Sequence, residues 1–229
     1  MNYNFLFLVL IGNLIYGQDE NRKPFFGNFQ IEAYTTNRVL DFSDFDKQFE
    51  VLELDSGFNS SFNSTFLGAK TWFGFTSNRL GFGLYLASTS KTRTKDNFKI
   101  DSQLGSLQFE LDCILYRDQK FEIGLVGGLL MNNFRSTLTI QDIDESNPSD
   151  EFVIFDSSVV ENNDFNSLRV SVRFNLNLFN NFWVFTNLGH SSSTSQGEWK
   201  LANGNEPDES PSLNDTGVFY NLGVFYRFR

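Results

Sequence analysis

The sequence predicts an all-β fold in which eight antiparallel strands close into an up-and-down transmembrane β-barrel. Three observations predict it. The final stretch, Thr216 to Arg229, places Val218, Tyr220, Leu222, Val224, Tyr226 and Phe228 on one parity and Gly217, Phe219, Asn221, Gly223, Phe225 and Arg227 on the other. Strand side chains alternate between faces, so one face is wholly apolar or aromatic. Seven other segments show the same alternation. The connections joining all eight switch between tight turns and long polar stretches. A wall that meets lipid needs apolar residues only at every second position. That reconciles these strands with a mean hydropathy of −0.28 and with the lack of any apolar run near the roughly 20 residues of a membrane helix.

The apolar run Phe5 to Ile15, followed by Tyr16, Gly17 and the polar Gln18-Asp19-Glu20-Asn21, reads as a secretory signal covering residues 1–17, cleaved after Gly17. No cysteine lies near that point, so no lipoprotein anchor is expected. Residues 18–24 form a short lead-in, and residues 25–229 form the single barrel domain. The only cysteine, Cys113, permits no intrachain disulfide and reads as a small hydrophobe on a strand face. A formal charge of −10 argues against binding nucleic acid through a basic surface.

The first strand spans Phe25 to Thr36, with Phe29, Ile31 and Ala33 opposite Asn28, Gln30 and Glu32. Arg38 to Ser60 reads as a long polar connection dotted with Phe. The second strand runs from Phe62 to Phe75, and Thr76-Ser77-Asn78-Arg79 turns tightly into the third, marked by Leu80, Phe82, Leu84 and Leu86. Thr89 to Asp101 reads as a polar connection. The fourth strand carries Leu107, Phe109, Leu111, Cys113 and Leu115. The turn Arg117-Asp118-Gln119-Lys120 leads to the fifth, which runs from Phe121 to Met131. Thr137 to Asp164 reads as the longest connection, with a strand extension or hairpin possible in Glu151 to Val160. Leu168 to Leu178 is the sixth strand, Phe179-Asn180-Asn181 the third tight turn and Phe182 to Ser192 the seventh strand. Gln196 to Asn214 is the last long connection.

Eight strands leave a lumen just wide enough for side chains to fill. The inward parity offers Glu32, Lys70, Glu110, Asp112, Glu122, Arg169, Arg173 and Arg227. Charges held away from water need partners, which predicts a charge network plugging the barrel. A narrow pore is the alternative. The loops hold most of the acid: six carboxylates (Asp41, Asp44, Asp46, Glu50, Glu53, Asp55) face two cations in residues 38–55. Residues 137–164 carry eight with no cation. Asp142, Asp144 and Glu145 offer hard oxygen ligands to a divalent cation, but their spacing completes no known loop motif, and solvated charge is the simpler reading. No cofactor motif is visible.

The last strand resembles the C-terminal assembly signal of bacterial outer-membrane β-barrels, with Asn221, Gly223, Tyr226 and Phe228 at its polar, glycine and aromatic places. Arg229 extends past the usual final aromatic. Residues 25 to 229 resemble, in connectivity, the eight-stranded family of OmpX and the OmpA membrane domain. The resemblance implies an outer-membrane location, insertion by the barrel-assembly machinery, and surroundings of outer-membrane lipid and lipopolysaccharide. A monomer is expected, with divalent cations as possible loop partners. The expected function is non-enzymatic: envelope support or surface adhesion through long acidic loops.

One feature points to another class. His190 and Ser192 share the lipid-facing parity of Val184 and Leu188. They resemble the His-any-Ser pair of the outer-membrane lipid A deacylases, which implies His190 as base and Ser192 as nucleophile. The chain continues Ser193-Thr194-Ser195, where that family has Asn-Ala-Gly. Asp215, Glu209 or Asp164 would have to supply the carboxylate.

Overall fold

The computed structural model describes residues 28–47, 50, 53–58, 62–73, 79–141, 154–197, 199–201 and 213–228. The expected signal and lead-in of residues 1–24 lie outside these. So do most of the first tight turn and the acidic trio Asp142, Asp144 and Glu145.

The strands are β1 (Asn28–Arg38), β2 (Phe62–Phe73), β3 (Arg79–Lys95), β4 (Phe98–Arg117), β5 (Phe121–Gln141), β6 (Ile154–Phe179), β7 (Phe182–Ser195), the short β8 (Trp199–Leu201) and β9 (Gly217–Arg227). One short helix, α1 (Ser43–Lys47), lies in the first outer loop. Each long strand pairs antiparallel with its sequence neighbour. β9 closes the ring by pairing with both β7 and β1. The result is an eight-stranded barrel; β8 stands outside the ring, paired with β6 from Val160 to Asn162.

The alternation has the expected physical outcome. Val218, Leu222, Val170 and Leu67 are more than 60% exposed, while their chain neighbours Phe219, Asn221, Arg169 and Phe66 are buried. A belt of exposed Leu, Val, Ile and Phe therefore circles the wall. Rings cluster along its lower rim: Phe29 meets Phe228, Tyr226 meets Phe228, and Phe121 meets Phe174. An apolar band edged by aromatics is the surface of a barrel standing in lipid.

Two expected connections are corrected. Residues 89–101 are not a loop: β3 and β4 continue through them in register, from Ser88↔Gly105 to Lys95↔Phe98, and turn at Asp96 and Asn97. Asp96 takes a left-handed φ of 50°, which Asp tolerates through local hydrogen bonding. Residues 137–141 extend β5 and 154–164 extend β6; the strand extension expected within Glu151 to Val160 is present from Ile154. Over residues 89–95 the outward face of β3 is polar, so its apolar stripe ends while the ladder continues. On the inner face Ile100, Phe98 and Leu138 still pack against the first loop. The sequence Thr89-Ser90-Lys91-Thr92-Arg93-Thr94-Lys95 keeps the β-branched content of a strand without its apolar stripe.

Candidate functional site

The barrel has a filled interior and an uneven outer rim, and both follow from particular residues. At the lower end Arg227 grips Glu122 with two parallel bonds, Nη1–Oε1 at 2.9 Å and Nη2–Oε2 at 3.0 Å. Arg117 Nε adds a bond of 2.6 Å and Asn175 Nδ2 one of 3.0 Å to the same carboxylate. The next layer centres on Lys70, whose Nζ lies 2.9 Å from Asp112 Oδ2, 3.2 Å from Glu110 Oε2 and 3.6 Å from Glu32 Oε1. Arg173 Nη2 reaches Glu32 Oε1 at 2.9 Å, Tyr85 OH donates to Glu32 Oε2 at 2.8 Å, and Gln30 Nε2 also donates to Glu32. The structure places all eight inward-parity charges named from the sequence inside. It joins seven of them in these two layers, while Arg169 stands higher.

Above the charges lies an aromatic layer. Tyr34 stacks on Phe66 at 5.1 Å and meets Tyr85 and Phe185 edge-on. Rings of this size fit a narrow lumen because glycines face them. A Cβ on Gly223 would sit 2.4 Å from Tyr34 Cβ and 2.7 Å from the Ala33 carbonyl oxygen. Higher still, Arg38 donates to Asn132 Oδ1 at 3.1 Å and Ser106 Oγ at 3.0 Å, and approaches Asp215 Oδ2 at 3.7 Å.

The outer mouth is closed by the first loop. Leu40, Phe42, Phe45, Leu54 and Phe58 are buried against Phe62, Ile100, Leu104, Phe134, Phe165 and Leu213. Asp41 Oδ1 accepts from the Ser43 backbone N–H at 3.0 Å and from Ser43 Oγ at 2.6 Å, fixing the entry to α1. Asp46 Oδ1 accepts from the Ser56 N–H at 2.7 Å, tying the two arms of the loop together. The backbones of Asp41 and Asn214 exchange hydrogen bonds of 2.8 and 3.2 Å. Arg93 Nε meets Asp55 Oδ1 at 3.2 Å, and Lys95 pairs with Glu53. Arg93 and Asp55 are each about half exposed, so that pair adds about 0–1 kcal/mol. Each fully buried Phe contributes about 1.5–3 kcal/mol. Apolar packing therefore holds the plug, and the ion pairs set its register. From the sequence this loop reads as a solvated polar connection. Its scattered Phe residues are the available signal.

The rim is uneven because β3, β4, β5 and β6 continue beyond the apolar belt while β1 and β9 stop near it. β3 runs nine residues past Leu86, the last belt residue on that strand, to Lys95. At about 3.3 Å per residue this is roughly 30 Å of strand. The outward face of this raised wall is polar: Thr92 Oγ1 donates to Asp101 Oδ1 at 2.6 Å, and Lys99 Nζ meets Asp101 Oδ2 at 2.6 Å. Desolvation pushes the Asp101 carboxyl up, but these two donors hold it below the ordinary carboxylate value. On α1, the hydrogen bond and charge of Asp44 raise the Lys47 ammonium.

Of the hydrolase candidates, His190 and Ser192 share a face and Asp215 is held apart from them. His190 and Ser192 are exposed on the outer face at the top of the belt, where His190 pairs with Val170 and Val218. Asp215 is buried on the inner side, held by Ser167 Oγ at 3.0 Å and Arg169 Nη2 at 3.4 Å. The barrel wall separates it from the histidine, so Asp215 is corrected from a candidate acid to an interior ion-pair partner. Glu209 and the Asp164 side chain lie outside the described residues. The assembly-signal residues divide by face: Asn221 and Gly223 point inward, and Tyr226 and Phe228 stand in the lower aromatic rim. Among the described residues, no group of three or more His, Cys, Asp or Glu side chains is arranged to hold a metal ion.

The sequence matches no family model and no curated protein. Several solved structures are similar to this chain. A major outer membrane protein from Thermus thermophilus is 13% identical with a TM-score of 0.49, covering 87% of this chain and 99% of its own. Neisserial surface protein A is 11% identical with a TM-score of 0.41, covering 88% and 99%. Ail, the attachment invasion locus protein of Yersinia pestis, is 12% identical with a TM-score of 0.44, also covering 88% and 99%. The chain is an eight-stranded barrel of the outer-membrane type. Its even strand number, aromatic-edged apolar belt and short lower turns opposite a tall rim place it in a bacterial outer membrane.

Proposed function

We propose that this barrel is a non-enzymatic surface protein whose interactions are made by the raised β3–β6 wall and the loops packed against it. The observation that carries this reading is the pairing of a filled interior with a tall, ordered polar rim. Among the described residues, two charge layers, an aromatic layer and the packed first loop occupy the lumen. The wall instead presents a fixed face bearing Ser90, Thr92, Thr94, Asp101 and Gln103 well above the lipid. A paired sheet holds such a face with little ordering cost on binding, which suits adhesion to another surface. In the same reading the protein inserts as a monomer through the barrel-assembly machinery. Outer-membrane lipid and lipopolysaccharide surround it, with divalent cations bridging loop carboxylates to lipid phosphates.

The test is attachment of cells displaying the protein to immobilised extracellular-matrix protein and to epithelial monolayers. The variant Thr92→Glu/Thr94→Glu/Gln103→Glu changes only the outward face. Wild type should attach above empty-vector cells and the variant should not, with both showing the gel shift on heating of a folded barrel. Attachment by wild type no better than empty vector overturns the reading.

A further inference from the structure

Between the aromatic layer and the loop plug lies a buried polar layer whose charges do not balance. Arg38 and Arg169 are 2% and 3% exposed, and both lean on one carboxylate oxygen, Asp215 Oδ2, at 3.7 and 3.4 Å. No other acidic side chain among the described residues pairs with either. Arg169 spends its remaining contacts on the amide oxygen of Gln108 at 3.3 Å and on the Phe219 ring at 4.6 Å. Arg38 spends its own on Asn132 and Ser106. The Nε–H of both arginines has no acceptor among the described residues.

The facing wall has the complementary deficit. Thr36, Asn221 and Asn187 are ladder partners across β1, β9 and β7, so their side chains stand side by side on one interior rung. Thr36 Oγ1, both amide atoms of Asn221, Asn187 Oδ1 and, four residues along β7, Ser191 Oγ are buried without a partner among the described residues. Each such atom carries the full desolvation penalty of a buried polar group if left unsolvated. Five of them together would rival the whole stability of a domain. The layer is therefore solvated, and its local excess of positive charge and of unpaired N–H and O–H donors favours an anion. The layer below, reached through Gln108 Nε2 to Glu110 at 2.6 Å, has the opposite imbalance of three carboxylates to two cations.

We propose that this layer binds a small monovalent anion, of chloride size and charge, between the two arginines and the hydroxyl and amide donors of β1, β7 and β9. Water fills what remains. The ion neutralises the guanidinium that Asp215 leaves uncompensated, and it accepts from the two Nε–H groups, the Thr36 and Ser191 hydroxyls and the Asn221 amide. The loop plug covers the layer, so the ion enters during folding.

The test is refolding of the full chain in detergent micelles with sodium chloride, sodium bromide or sodium gluconate at equal ionic strength. Gluconate is too large for the layer. Chloride and bromide should raise the midpoint of thermal unfolding by about 5 °C over gluconate. Arg169→Gln, which removes the surplus charge, should abolish that difference. Thr36→Val, which keeps the charge and deletes one donor, should reduce it and serves if Arg169→Gln does not refold. Crystals grown in bromide should show an anomalous peak in this layer. Equal wild-type midpoints in the three salts, or water alone at this position in bromide crystals, overturn the proposal.

Discussion

Phe42 of the first outer loop lies against Phe134 of β5, ring centroids 4.7 Å apart with planes at 57°. Two residues 92 positions apart in the chain thus close the mouth of the barrel. The contact joins a segment that looks like solvated loop to a strand that looks like ordinary wall. Phe42→Ala removes a fully buried ring from this packing and should cost about 3–5 kcal/mol of loop docking. Hydrogen exchange should report it as lost protection in residues 40–58, while the amides of β1, β7 and β9 stay protected.

Lys70 holds three carboxylates, and Lys70→Met would leave Glu32, Glu110 and Asp112 with Arg173 as their only cation. Breaking a buried pair from one side costs about 3–5 kcal/mol because the remaining charge is stranded. The urea midpoint of refolded protein should fall accordingly. Arg117→Ala, at a residue about a quarter exposed on the lower rim, should lower it much less, since Glu122 keeps both bonds to Arg227.

Gly223 faces Tyr34 across the β1–β9 seam. A Cβ there meets the Ala33 carbonyl oxygen at 2.7 Å as well as the tyrosine side chain. Gly223→Val should therefore cut the yield of folded barrel in a refolding gel. Tyr34→Ala should not rescue it, because alanine keeps the Cβ that the new side chain would meet at 2.4 Å and the Ala33 carbonyl stays in place. Rescue by Tyr34→Ala would show that the tyrosine ring, not these two atoms, sets the requirement.

With Asp215 inside the wall, His190 on the outer face has no carboxylate among the described side chains to orient it. His190→Ala should leave the acyl-chain pattern of lipid A, read by mass spectrometry, the same as in cells making the wild-type protein. Loss of an acyl chain that depends on His190 would make the protein an ester hydrolase.

Much of the architecture is legible because period two is a local signal. Each of Glu32, Lys70 and Arg173 has apolar or small neighbours in the chain, so parity alone assigns its side of the wall. The partners are not legible, because which carboxylate meets Lys70 depends on the stagger of β1, β2 and β4, a non-local quantity. The rim escapes sequence reading for a different reason. Between Thr89 and Lys95 no lipid selects apolar residues, so the strand shows only as β-branched content. Arg38 shows the same limit: it stands at the end of β1 and reads as the first residue of a loop, yet it turns inward to meet Asp215, 177 positions away. The plug needs Phe42, Phe45 and Phe58 to be read as a core contribution, and no strand or long-helix period marks them as one.

The most direct test of the filled interior, and so of a role played outside the lumen, is current across a planar lipid bilayer containing the refolded protein. A sealed lumen predicts no unitary conductance steps from wild type in molar potassium chloride, in preparations where the heat-shifted gel band shows the barrel folded. Reproducible steps of uniform size from that protein would mean that the plug and the charge layers leave a path, and would contradict it.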